Sequence, residues 1–286
     1  MESASIPAVW PSQPSHPDLS RFASLANARM AEDCDGGFFS LESEFQSLVS
    51  SEVLTYLANC ELAAISRDET YDSPLWGPNA ILVAGNENWQ LRLGLYTRRA
   101  DFIYTLPYHF MVAVISAGHL TADVYPIPHT LVNDVFDPSV ELAAPRRLSL
   151  GAGDMVAVDN RRELIDVSVG TPVMAIKLCG NFNNALQWAF DRTSRRAVQA
   201  IAANAGDSEL VSMASALAAM ENNAAESALV ELTRHPRHFV RWAALQALAR
   251  TSPEKALELL KSAATSDPHP HVLKASRKAL SLMISR

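Results

Sequence analysis

The feature that most constrains this chain is a change in the spacing of its apolar residues near residue 180. Before this point, apolar residues alternate in short runs such as the segment QLRLGLY at 90–96. After it, the chain is rich in Ala and Leu at helical spacing. Alternation at every second residue indicates half-buried strands, whereas spacing of three to four indicates amphipathic helices. We therefore predict an α+β multidomain fold, in which a β domain and a helical array bury separate cores.

Composition and charge exclude several classes of function. The formal net charge of -7 disfavours a general nucleic-acid partner, because phosphates are bound by basic surfaces. The three cysteines (Cys34, Cys60 and Cys179) have no short spacing, which indicates neither a disulfide framework nor a zinc site. We find no secretory signal and no run of the ~20 apolar residues that a membrane span needs. We expect a cytoplasmic protein without a membrane partner.

Turn- and loop-forming residues divide the chain into four predicted segments. Residues 1–18 form a flexible, Pro-rich N-terminus, and 19–78 form a helical segment with helices at 19–32 and 41–66. The β domain covers 79–182, and 183–286 form helical repeats. The β domain contains nine short strand patterns, at 80–84, 89–96, 102–105, 110–116, 119–125, 147–150, 155–158, 164–169 and 173–178. So many short strands at close spacing favour an antiparallel barrel or sandwich.

An internal repeat defines the C-terminal segment. Residues 235–248 match 267–280, so that Pro236 and Pro268 lie 32 residues apart, and each stretch follows a helical pattern. A more degenerate first pair of helices is predicted at 184–204 and 207–220. A helix, a Pro-containing turn and a second helix with small residues on its packing face are typical of a helical solenoid.

The turn-Pro, Val-Arg and Ala-Ala-Leu-x-Ala-Leu pattern at 236–248 resembles HEAT repeats, especially the short bacterial kind. The resemblance covers about 185–286. It implies a protein partner along a curved face and supplies no catalytic residues. Four histidines lie at the repeat turns, and we expect them to be turn residues and not metal ligands: His235, His238, His269 and His271.

The β domain resembles a cupin. Residues 148–158 are similar to the Gly-Asp strand that opens the second cupin motif, and 110–125 to the end of the first motif. Metal cupins bind their ion through two His and a carboxylate from the first motif and one His from the second. Aligning Gly118 and Gly153 with the motif glycines places four other residues at these positions: Tyr104, Leu106, Met111 and Leu164.

These four side chains do not ligate a divalent metal as imidazole or carboxylate does. The resemblance therefore implies a degenerate barrel with no metal or other cofactor, in which the four residues line an apolar pocket for a small molecule. The favoured hypothesis is a non-catalytic binding or adaptor protein, whose barrel binds a small molecule or a partner and whose repeats bind a protein. Many cupins pair, so a homodimer is a further option.

The alternative is an atypical cupin metalloenzyme, an oxygenase or isomerase. It would hold iron or another divalent metal through His109 with His119 or His129. If Ala117 and Gly118 form a two-residue hairpin loop, however, His109 and His119 lie on opposite faces of the sheet. That geometry favours the non-catalytic hypothesis.

Overall fold

The chain forms two compact units, 1–200 and 201–286, which we call the β unit and the helical unit. The computed structural model describes residues 16–33, 35–68, 70, 76–77, 80–181, 184–220 and 223–284. Helices and antiparallel sheets followed by a helical array confirm the predicted fold class. The predicted flexible N-terminus lies outside the described residues up to residue 15, and its last two residues begin a helix.

Four helices open the β unit: α1 (Pro17–Glu32), α2 (Gly36–Ser40), α3 (Glu42–Val49) and α4 (Val53–Arg67). The single helix predicted at 41–66 is broken between α3 and α4. At this break the Ser51 hydroxyl donates to the Leu48 carbonyl at 2.7 Å. Such local side-chain bonds compete with the helical hydrogen-bond pattern, so they favour an end to the helix.

No single helix in the described part of the chain is long and apolar enough to cross a membrane. Helices α3 and α4 reach that length and composition only when taken together, and they are bent by 55° at their break. Their apolar residues Phe45, Leu48, Val53 and Leu57 are buried in a core of the β unit.

Strands make up the rest of the β unit, and all nine predicted strands are present with their ends shifted by at most two residues. The described strands are β1 (Trp76–Gly77), β2 (Ala80–Gly85), β3 (Trp89–Tyr96), β4 (Ile103–Tyr104), β5 (Phe110–Val114), β6 (Leu120–Pro126), β7 (Arg146–Leu150), β8 (Met155–Val158), β9 (Glu163–Val169), β10 (Val173–Gly180), β11 (Leu186–Phe190) and β12 (Ala197–Ala202).

The strands form three open sheets, with orders β1-β2-β3-β10-β5-β8, β7-β6-β9 and β12-β11-β4. Strands β5 and β6 lie in different sheets, so the hairpin considered at Ala117 and Gly118 is wrong. Gly118 has a φ of +125°, a conformation that residues with a Cβ rarely adopt. This glycine allows the chain to turn from the first sheet to the second.

Three apolar clusters divide the β unit. The outer core lies between α1–α4 and one face of the six-stranded sheet, and it includes Trp89, Leu91 and Ile176. The inner core lies between the other face and the β7-β6-β9 sheet, and it includes Val112, Leu120 and Ile165. The edge core surrounds β4 and β11. The central sheet is therefore covered on both faces.

The helix predicted at 184–204 is wrong, because this segment forms β11 and β12. Leu186, Trp188 and Phe190 alternate along β11 and are buried in the structure. β11 pairs with β4, and the Trp188 amide donates to Thr105 Oγ1 at 2.9 Å. The alternation was concealed in an Ala-rich context, and pairing with a distant strand outweighs its helical propensity. The β unit thus ends near residue 200, later than the predicted boundary at 182.

The helical unit contains α5 (Ala205–Ala219), α6 (Glu226–Leu232), α7 (His238–Thr251), α8 (Pro253–Ser266) and α9 (Pro270–Ile284). The two repeat copies predicted at 235–248 and 267–280 form corresponding turns and helices. A buried ion pair connects them, since Arg241 donates to both Asp267 oxygens at 2.7 and 2.9 Å. The two side chains are only 8% and 7% exposed.

Two buried aspartates organise the outer surface of the β7-β6-β9 sheet. Asp123 and Asp166 face each other across β6 and β9, and each side chain is 3% exposed. Arg147 donates to Asp123 at 2.7 and 3.0 Å, and Arg99 bonds to both carboxylates. Arg192 binds Asp166 and also donates to the Phe102 carbonyl at 3.1 Å. The network therefore ties two separate segments, the one that contains Arg99 and Phe102 and the one that contains Arg192, to this sheet.

Replacing Asp123 by Asn should destabilise the β unit in a pH-dependent way. The Arg147 guanidinium holds the pKa of Asp123 below its ordinary value despite burial. This contribution is complete above the unfolded-state pKa of about 3.9 and is lost as the pH falls through the folded-state pKa. We expect Asp123→Asn to lower the free energy of unfolding by about 2 kcal/mol at pH 7 and by less near pH 3.

Urea denaturation at the two pH values measures this difference. Glu87→Gln, which changes an exposed carboxylate, is the matched control. An equal loss of stability at both pH values would contradict an electrostatic role for Asp123.

Candidate ligand site

The four residues predicted to line a single pocket lie in three places. Tyr104 and Leu106 border the same cavity of about 200 Å³. Met111 lies in the outer core, against the helices. Leu164 lies in the edge core, near Trp188. Because successive strand residues point to opposite faces, the neighbours Val112 and Ile165 are the ones that enter the inner core.

The three histidines of the predicted alternative metal site are also separate. His109 is buried at the start of β5, with Nε2 3.0 Å from Asp35 Oδ1 and Nδ1 3.4 Å from Asp159 Oδ1. His119 and His129 are exposed beyond opposite ends of β6. A strand of this length spans roughly 20 Å. The structure does not bring these three imidazoles together.

His109 instead connects the helical segment to the strands. Asp35, just before α2, contacts both His109 and Arg161. Burial raises the pKa of Asp35, but the hydrogen bonds to His109 and Arg161 outweigh it and lower the pKa overall. The imidazole also packs 4.9 Å from the ring of Phe39. His109 therefore has the contacts of a structural bridge.

Two basic side chains lie on the inner face of the six-stranded sheet. Lys177 of β10 is directly opposite Arg92 of β3, so the two share a face. Ala175 and Cys179, two residues before and after Lys177, lie in the inner core. Leu91, next to Arg92, lies in the outer core. Alternation therefore directs both cations toward the space between the sheets.

Neither cation has a carboxylate partner among the described residues. Arg92 donates to Gln90 Oε1 at 2.9 Å through Nε, and Lys177 Nζ lies 4.4 Å from the centre of the Tyr96 ring. Most other described arginines of the β unit face a carboxylate: Arg21, Arg29, Arg99, Arg146, Arg147, Arg161, Arg162, Arg192 and Arg196. Within the described ranges, the pair thus carries two adjacent positive charges that no carboxylate faces.

The surroundings of the pair are poorly solvated. Burial lowers the pKa of Lys177, and Arg92 lowers it further, while Cys179 opposes the shift. Burial is also the main reason why the pKa values of Tyr96, Tyr108 and Cys179 are raised. An electrostatic interaction in such a site is stronger than in water, so an anion would gain more here than at the surface.

An apolar cavity lies next to the pair. Tyr96, whose ring contacts Lys177, is also one wall of the cavity of about 200 Å³ that Tyr104 and Leu106 border. The remaining lining includes Phe102, Phe110, Ile165 and Val167, and Arg98 and Asp166 are its charged members. A space of this size suits a single ring. The arrangement combines fixed positive charge with a small apolar compartment, as in sites that orient organic anions.

A larger cavity of about 560 Å³ lies between α4 and the outer face of the six-stranded sheet. Its described walls are mainly apolar, with Leu57, Leu62 and Ile81 among them, and Glu61 is its charged lining residue. This cavity has room for an uncharged apolar group, but its walls do not select one class of ligand.

Sequence reasoning did not identify Arg92 and Lys177. Each stands between two apolar neighbours on a strand, which is also the pattern of a solvated face. The sequence did contain a signal, because Ala175 and Cys179 are apolar residues on the same strand face as Lys177. A cation on an otherwise apolar face of a central strand is unusual and indicates a site.

A comparison with protein-family models supports the predicted resemblance of the C-terminal segment. A family model described as HEAT repeats matches residues 174–281. The match begins on β10 and includes all five helices of the helical unit except the last residues of α9. No curated protein matches the chain.

Solved structures similar to the chain include several cupins. A cupin superfamily protein from Desulfitobacterium hafniense is 8% identical with a TM-score of 0.26, and the match covers 39% of this chain and 84% of that one. An RmlC-like cupin from Shewanella frigidimarina is 13% identical with a TM-score of 0.27, covering 40% and 87%. Hydroquinone 1,2-dioxygenase from Sphingomonas is 11% identical with a TM-score of 0.29, covering 38% and 68%.

Replacing Lys177 by Met should stabilise the unliganded protein. Lys177 loses hydration and gains no counter-ion among the described residues, whereas Met has a similar shape and no charge. We expect Lys177→Met to raise the free energy of unfolding by about 1 kcal/mol in urea denaturation. The control Lys255→Met removes a lysine paired with Glu258 in α8 and should change stability by less than about 0.5 kcal/mol. A clear loss of stability in Lys177→Met would indicate a carboxylate partner for Lys177.

Proposed function

We propose that this chain is a non-catalytic binding protein whose β unit takes up a small organic anion. The observation that carries the proposal is the Arg92–Lys177 pair, which faces the inner side of the sheet without a carboxylate among the described residues. Two like charges held side by side repel each other, and a bound anion removes this repulsion. An anion would therefore bind the folded protein and stabilise it.

The class of ligand follows from the neighbouring groups. A carboxylate can accept hydrogen bonds from the Arg92 guanidinium and interact with the Lys177 ammonium. The apolar body of the ligand would then extend past Tyr96 into the cavity of about 200 Å³. Tyr96, Phe102 and Phe110 offer ring faces and edges to an aromatic group. We propose a carboxylate with one aromatic ring.

Benzoate and benzamide are matched probes for this proposal, because they have nearly the same shape and differ in charge. We expect benzoate to raise the melting temperature of the full-length protein with increasing concentration and to bind in isothermal titration calorimetry. At 100 times its dissociation constant, a ligand stabilises the folded state by about 2.7 kcal/mol. Benzamide should bind at least about tenfold more weakly.

Two variants test the location of the site. Arg92→Met and Lys177→Met should each weaken benzoate binding by about tenfold or more, because each removes one charged partner. Arg146→Met removes an exposed arginine of β7 that pairs with Glu163, and it should leave affinity unchanged. Circular dichroism verifies that the variants are folded. Equal affinities for benzoate and benzamide, or full affinity in Lys177→Met, would refute the proposal.

The helical unit supports a protein partner in general, since HEAT repeats commonly mediate protein interactions. We propose that it gives the chain an adaptor role, which brings the ligand-binding β unit to a second protein. One surface is a groove between α5 and α7, where Val211, Ala243 and Gln246 line a space of about 170 Å³.

Light scattering of the full chain tests whether the protein forms a homodimer. We also propose a cytoplasmic location, because the chain has only a few cysteines.

The alternative metalloenzyme remains testable. His109 is engaged by Asp35 and Asp159, and His119 and His129 lie elsewhere, so the geometry favours the binding function. Elemental analysis of freshly purified protein distinguishes the two. Near-stoichiometric iron that is lost in His109→Ala and retained in His129→Ala would replace the binding proposal with an enzyme.

A further inference from the structure

We propose that the helical unit binds a divalent transition-metal ion through His238, His269 and His271. Each offers a ring nitrogen, and these three nitrogens all lie within 4.8 Å of one another. Among the described residues, this is the group of His, Cys, Asp or Glu side chains whose geometry suits a metal. These histidines lie at the repeat turns that the sequence pattern predicts, and in the structure the two turns meet.

The two repeat copies bring the histidines together. His238 begins α7, and His269 and His271 flank the start of α9, so the ligands come from two neighbouring turns. The rings of His238 and His269 stack with centres 3.7 Å apart and planes inclined by 6°. The His271 ring stands at 80° to that of His269, with centres 5.4 Å apart. All three residues are half-buried, so a metal ion from solution can reach them.

The surrounding contacts hold this arrangement in place. The His269 amide donates to Asp267 Oδ1 at 2.8 Å, and Asp267 is fixed by the buried ion pair with Arg241. The His271 amide lies 3.3 Å from His269 Nδ1, which orients the His269 ring. Coordination through Nδ1 would replace this bond, which is long for a hydrogen bond. Preorganised ligands on a rigid frame favour metal binding.

The ligand set selects the class of metal. Three imidazoles suit Zn²⁺ and its neighbours Co²⁺, Ni²⁺ and Cu²⁺, and they suit Mg²⁺ and Ca²⁺ poorly. Nitrogen–zinc distances are about 2.0–2.1 Å, so nitrogens within 4.8 Å need a shift of about 1 Å to close on one ion. Rotation of half-exposed rings provides such a shift. Three protein ligands leave the fourth tetrahedral position to water.

Titration of the full-length, tag-free protein with Zn²⁺ tests the proposal. After treatment with a chelator, we expect one ion to bind per chain in isothermal titration calorimetry and the melting temperature to rise. Co²⁺ in place of Zn²⁺ should produce the visible absorption of a four-coordinate site with three nitrogen ligands and one water. Mg²⁺ should produce neither effect.

Single substitutions locate the ion. His238→Ala, His269→Ala and His271→Ala should each weaken Zn²⁺ binding by about tenfold or more, because each removes one of three ligands. His235→Ala is the matched control, since His235 lies at the same turn but its Nε2 is 3.9 Å from Asp207. Circular dichroism and benzoate binding, which should be unchanged in all four variants, report on folding and on the proposed function separately.

Two results would overturn the metal site. One is Zn²⁺ binding that remains at full strength in His238→Ala and His271→Ala, which would place the ion elsewhere. The other is the absence of stoichiometric Zn²⁺ binding by the unmodified protein while its folding and benzoate binding are intact.

Discussion

The β unit depends on the two different faces of its six-stranded sheet. Along β10, Ile176 and Leu178 enter the outer core, whereas Ala175 and Cys179 enter the inner core. Burial on both faces accounts for most of the stabilisation that a sheet of this kind can obtain. It also means that a polar residue at any central position must face one core or the other. Lys177 is such a residue, and its position in the alternation determines that it meets Arg92.

Spacing allowed most of the fold to be predicted, because alternation and helical periodicity are direct consequences of backbone geometry. The strands at 80–178 and the repeats beyond 235 were recovered on this basis. The spacing of apolar residues did not, however, predict which sheet each strand belongs to. Gly118 was interpreted as part of a hairpin loop, but it allows β5 and β6 to enter different sheets. The pairing of β11 with β4 joins distant segments, so local pattern could not reveal it.

Two of the four predicted pocket residues lie away from the cavity that Tyr104 and Leu106 border, for a related reason. An alignment that is shifted by one residue assigns every side chain of a strand to the opposite face of the sheet. Met111 and Leu164 were therefore placed inside the barrel, while Val112 and Ile165 occupy those positions. The histidines at the repeat turns illustrate the opposite problem. Their presence was plain in the sequence, but the stacking of His238 on His269 depends on how the two turns pack.

The two proposed sites differ in whether the positively charged side chains in them have a counter-ion. The inner face of the sheet places Arg92 beside Lys177 with no described counter-ion, which costs stability until an anion arrives. In the helical unit, the buried charge of Arg241 is balanced by Asp267, and the adjacent histidines offer ring nitrogens. Uncompensated charge favours an anionic ligand, whereas neutral imidazoles favour a metal cation. Under the two proposals, the β unit and the helical unit bind ligands of opposite charge.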